Sequence, residues 1–116
     1  MKTLKSNRDF ERVFKQGKSA GHRDLVVLAR RGRARNVRVG FCISRKTGNA
    51  VIRNKLRRRL KEIIRESEQS LRPRWEIVIV AKDTSKELSF QELKRLTRKL
   101  LKKLNILALP ESSLSS

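Results

Sequence analysis

The stretch "VRVGFCISRKTGNAVIRNKLRRRLKE", residues 37–62, decides the fold of this chain. Its first part alternates. Val37, Val39, Phe41 and Ile43 fall on one side, and Arg38, Gly40, Cys42 and Ser44 on the other, the period-two pattern of a strand over 37–45. The period then changes. Ile52, Leu56, Leu60 and Ile63 form a stripe with Ile64 on its edge, so an amphipathic helix is expected over 49–67. Asn54, Arg58, Lys61 and Arg65 lie opposite the stripe, and Arg53 and Arg57 flank it.

Working outward, "SNRDFERVFKQG" (6–17) reads as a short helix. Ser6 is its N-cap, and Gly17 suits a left-handed position after its end. Phe10, Val13 and Phe14 share one face. "DLVVLARR" (24–31) is a Val- and Leu-rich strand, "RGRARN" (31–36) a polar turn, and a short extra strand is weakly signalled at 18–20. On the other side, "SLRPR" (70–74) breaks the pattern. "WEIVIVAK" (75–82) is a near-continuous apolar strand, expected to be buried on both faces. "SFQE" (89–92) is a capping box that opens a helix with Leu93, Leu96, Leu100, Leu101 and Leu104 on one side. The expected organisation is one domain, 1–109, with 110–116 as a disordered tail.

Charge narrows the function. The chain has 116 residues and a formal net charge of +20. Between Asp24 and Glu62 there are thirteen Lys or Arg and no acid. So large an excess opposes folding by self-repulsion and points to a polyanionic partner. A membrane surface would call for exposed apolar groups opposite the charges. Here the apolar faces are needed for the core, so nucleic acid is favoured. Cys42 is the single cysteine, which excludes an internal disulfide and a cysteine-based zinc site, and its ordinary role is a small apolar filler. No signal-peptide run opens the chain, and "IVIVA" is too short to span a bilayer, which gives a cytosolic reading.

Enzyme chemistry finds little support in the side chains. His22 is the only histidine and has no evident nucleophile beside it. The few carboxylates sit mainly next to Lys or Arg, and no phosphate loop, dinucleotide fingerprint or zinc-protease motif is present. The basic helix is different. It has no acid before Glu62, so it lacks the i,i+4 pairs of a solvated charged helix. Arginine predominates, and its forked donors match phosphate. Gly48 and Asn49 precede a helix N-terminus whose free amides favour anions, with Arg53 and Asn54 in the first two turns.

At these residues the chain resembles the protein subunit of bacterial ribonuclease P. The likeness runs from Leu4 to about Leu107 and rests on two motifs, "RDFERVFKQGKS" and the 37–62 stretch. It implies an α+β single domain ordered α-β-β-β-α-β-α, with a four-stranded mixed sheet and a left-handed βαβ crossover, rare among such units. It implies a protein cofactor of a ribonucleoprotein that hydrolytically removes the 5′ leader from precursor tRNA, with catalysis in the RNA. No tightly bound cofactor is expected. Magnesium serves the holoenzyme and is held mainly by RNA, and the protein alone is monomeric and inactive.

Two surfaces are implied. Contact with the RNA subunit falls to Arg53, Asn54, Lys55, Arg57, Arg58, Lys61 and Arg65, with Arg45, Lys46 and Asn49 just before or at the helix start. Lys55 stands at the third position of the family's RNR motif, keeping charge but losing the fork. A central cleft for the single-stranded leader is implied at Phe10, Phe14, Lys18, Val27, Arg38 and Ser44. Leu28 replaces an aromatic of some relatives, and Arg59 stands near the apolar stripe. The alternative from composition alone is a small ribosomal protein that binds ribosomal RNA structurally.

Overall fold

The computed structural model describes residues 2–107. Along them follow β1 (Lys2–Thr3), α1 (Asn7–Gln16), β2 (Lys18–Gly21), β3 (Leu25–Arg31), β4 (Arg38–Ile43), α2 (Ala50–Ser67), β5 (Trp75–Ala81) and α3 (Phe90–Lys103). The strands make one mixed sheet in the order β1-β4-β5-β3-β2. β1, β4 and β5 run parallel, while β3 is antiparallel to both β5 and β2. The sheet thus has five strands where four were expected. The addition is β1, which pairs only Lys2 with Arg38 and Thr3 with Val39 and is too short to show a period in the sequence. From α1 onward the expected order stands. The expected tail, 110–116, lies outside the described residues.

Helix starts follow the caps. Side chains of Ser6, Asn49 and Ser89 each accept a backbone N–H three residues on, and Glu92 returns the bond to Ser89. Gly17 corrects an expectation. Its backbone is extended, not left-handed. Glycine is needed there because a Cβ would lie 2.4 Å from the Val13 carbonyl oxygen and 2.8 Å from that of Ala29.

The sheet carries a layer on each face. Ile77 and Ile79 of β5, with Leu25, Val27 and Ala29 of β3, face α2 and α3 and meet Leu56, Leu60, Ile63, Leu93 and Leu101 in the main core. Val78 of β5 faces the other way, toward Val13 of α1 and Leu4. That double burial is why the 75–82 run shows no alternation. The α2 stripe is buried from Leu56 onward, whereas Ile52 is 38% exposed. β4 and β5 are parallel neighbours joined through α2, so the helix starts at the sheet edge where β4 ends.

Candidate nucleic-acid interface

The β4–α2 junction is built for projecting charge. After Ile43 the chain makes one 3-10 turn, Arg45–Thr47, which Ser44 caps by accepting the Lys46 N–H. Asn49 then caps α2, its Oδ1 accepting the Ile52 N–H at 3.0 Å. Because Leu56, Leu60 and Ile63 are held by the core, Asn54, Lys55, Arg58, Lys61 and Arg65 are driven to the exposed side. Arg57 donates to the Asn54 side-chain oxygen at 3.1 Å. With Val51, Arg58 and Lys61, that pair lines a shallow depression of roughly 490 Å³.

Among the described residues, only Arg65 of these cations meets a carboxylate, Glu62 at 3.8 Å. Arg45, Lys46, Arg53, Lys55, Arg58 and Lys61 have no ion-pair partner among the described residues. Arg53 is half-buried, and its Nε is fully enclosed without a hydrogen-bond acceptor. The arrangement is a strip of forked and point donors around a helix start. It is suited to several phosphates at once.

The opposite face of the sheet is another surface. α1 covers only part of it, lying over β3 and β5. Phe10 is wedged against the bare backbone of Gly40, where a Cβ would come within 2.4 Å of the ring. Phe14, one turn on, is 47% exposed. Beside it run half-buried Leu28, Cys42 and Val80, an apolar trough that ends near exposed Ser44. Burial pushes the Cys42 thiol up, so it acts as an apolar wall.

One end of the trough is fixed by a charge network. Arg38 bridges Asp9 of α1 at 2.7 Å and Glu76 of β5 at 2.9 Å, and Arg30 reaches Glu76 at 2.8 Å and Gln16 of α1 at 2.7 Å. Arg38 therefore lies at the end of the trough with its guanidinium committed to two carboxylates. Burial acts to raise the Asp9 pKa, but the Ser6 hydroxyl and the Arg38 and Arg12 guanidiniums outweigh it and hold the carboxyl below its ordinary value.

Two expected cleft residues lie elsewhere. Val27 is fully buried on the α2–α3 face; the β3 residues that face the trough are Val26 and Leu28. β3 is apolar in both alternations, so its phase was not readable. Lys18 pairs with Ala29, and cross-strand partners share a face, so it too belongs to the α3 side, its ammonium 4.8 Å from the Trp75 ring centroid. Ser19, opposite Leu28, takes the trough-side position. The Asp9–Arg38–Glu76–Arg30 network was also missed, because its members are far apart in sequence.

Fold and surfaces together define a small, basic α+β RNA-binding protein with two candidate surfaces on opposite sides of one sheet. The family model "Ribonuclease P" matches residues 1–105. The chain belongs to the ribonuclease P protein family. It is 37% identical over 107 residues to the ribonuclease P protein component of Shouchella clausii, covering 90% of this chain and 87% of the relative. The component of Bacillus velezensis is 35% identical and covers 89% of each. Among solved structures, the Staphylococcus aureus RNase P protein matches with TM-score 0.84 at 27% identity, over 92% of this chain and 98% of that one. The Thermotoga maritima RNase P protein matches with TM-score 0.78 at 31% identity, over 88% and 97%. The ribosomal-protein alternative is not favoured. Among the described residues no helix is long and apolar enough to cross a membrane.

Proposed function

We propose that the chain is the protein cofactor of a ribonuclease P holoenzyme, in which the RNA subunit carries the catalytic centre and cuts the 5′ leader from precursor tRNA. The observation that carries this reading is the separation of the two surfaces. The unpaired cations of the β4–α2 junction engage the RNA subunit, and the Phe14 trough takes the unpaired leader. Leader bases lie against ring and aliphatic faces there, a contact tolerant of sequence. The protein enters as a monomer.

Magnesium belongs to the RNA in this reading. A hard cation needs several free oxygen ligands, yet Asp9 and Glu76 are held by arginines and Asp24 lies against His22 and Arg23. These residues do not fit a magnesium cage. The test is reconstitution: purified protein is added to a bacterial ribonuclease P RNA and precursor tRNA at low magnesium. Cleavage at the 5′ junction, stimulated well above RNA alone, is expected, with no cleavage by protein alone. Absence of stimulation by folded protein overturns the proposal.

A further inference from the structure

We infer that the outer face of α3 and the β2–β3 turn form an additional RNA-contacting site, which takes an unpaired nucleotide with its phosphates. The inference rests on the chain's being an RNA-binding subunit, but on neither surface described above. A groove of roughly 580 Å³ runs between α3 and the turn, within the size range of small-ligand sites. Leu88 and Leu96, both half-buried, form its floor, and His22 stands at its wall. Arg95, Lys99 and Lys102 make its rim.

The carboxylates that reach this groove are committed. Asp24 is buried, with its carboxylate 3.6 Å from Arg23 Nε. Glu92 accepts the Ser89 N–H at 3.0 Å, and that bond holds its carboxyl below the usual range. Arg95, Lys99 and Lys102 consequently have no ion-pair partner among the described residues. The helix also stacks like charges four apart, at Lys94 and Arg98, Arg95 and Lys99, Arg98 and Lys102, and Lys99 and Lys103. Each such pair opposes the helix. Lys102 and Lys103 suit the last turn of a helix, but mid-helix Arg95 has only Glu92, already bonded to Ser89, one turn back, and Lys99 has no carboxylate within ion-pair distance among the described residues. Lys94 turns the other way, to Glu66 of α2, while Arg98, which also lines the groove, hydrogen-bonds Ser67 of α2 at 3.4 Å. His22 Nδ1 accepts the Asp24 N–H at 3.1 Å, which leaves Nε2–H as a donor to a base edge or phosphate oxygen. An apolar floor under a cationic rim is the chemistry of a single-stranded nucleotide, base down and phosphates at the edge.

The test places a benzophenone-bearing amino acid at position 99, or at position 58 of α2 as the reference, in the full chain. Holoenzyme assembled with ribonuclease P RNA is irradiated with and without precursor tRNA. Crosslinks from position 99 to the RNA subunit in both arms, or to precursor only when it is present, support the site and name the RNA that fills it. The double variant Arg95→Ala/Lys99→Ala should weaken affinity for that RNA about tenfold at 0.1 M salt and flatten the salt slope by about two, with unchanged circular dichroism. Crosslinks from position 58 but none from 99, with the double variant binding as wild type, would overturn the inference. Crosslinks from 99 with position 58 silent would instead uphold this site and remove the α2 reading.

Discussion

Leu60 and Ile52 lie on one stripe of α2 but in different surroundings. Leu60 is fully enclosed by the main core, while Ile52 is 38% exposed at the helix start, in a groove with Arg59, Lys86 and Glu87. Leu60→Ala should therefore cost ~2–5 kcal/mol in urea unfolding, and Ile52→Ala less than about 1 kcal/mol. Equal losses would show that the first turn of α2 is packed as tightly as its middle. The same environment explains Arg59. Its neighbours at that end of the stripe are the polar turn Asp83–Glu87, not the sheet, so an arginine costs little there. Periodicity located the stripe from residues alone, but where the core stops along it depends on a segment some thirty residues downstream. Val27 shows the same limit. When both faces of a strand are apolar, spacing cannot say which one meets the helices.

At the scale of elements, α1 is held to the sheet by charge as well as by Val13. The caps and the capping box were legible because their partners sit three residues apart. The Asp9–Arg38–Glu76–Arg30 network was not, because its bonds span tens of residues. It has a pH consequence. Asp9 titrates below its ordinary 3.8 in the folded protein, so the folded state binds fewer protons in acid than the unfolded chain. Its contribution to stability is full above about pH 5 and is lost as pH falls through the folded-state value. Urea midpoints measured from pH 6 to pH 2.5 should fall less steeply for Asp9→Asn than for wild type. Parallel curves would mean that the Arg38 contact is not made in solution. For α2, log K against log salt for the RNA subunit should slope at roughly −3 to −7 if five to eight phosphates are engaged. Arg57→Ala/Arg58→Ala should flatten it by about one per lost contact. A slope near zero would make α2 a solvated face.

The proposed division of work runs across the sheet. α2 and its basic face lie on one side and the α1 trough on the other, so a change at one surface need not disturb the other. Phe14, nearly half exposed, contributes little to the core, and its ring is free for a base at ~1–3 kcal/mol per stacked nucleotide. Mature tRNA has no leader to offer the trough. The protein should therefore make the holoenzyme prefer precursor over mature tRNA, aiding product release. Phe14→Ala should erode that preference roughly five- to hundredfold, the stacking energy read as a ratio of affinities. It should leave RNA-subunit affinity nearly unchanged. Arg53→Ala/Asn54→Ala should do the reverse, weakening assembly while the precursor-to-mature ratio of assembled holoenzyme holds. Phe10 is the poorer probe because its ring fills the space over Gly40, and its removal would loosen α1 itself. Both affinities are measured for each variant, with circular dichroism to confirm the fold. If folded Phe14→Ala protein keeps the wild-type ratio, the leader does not lie in this trough.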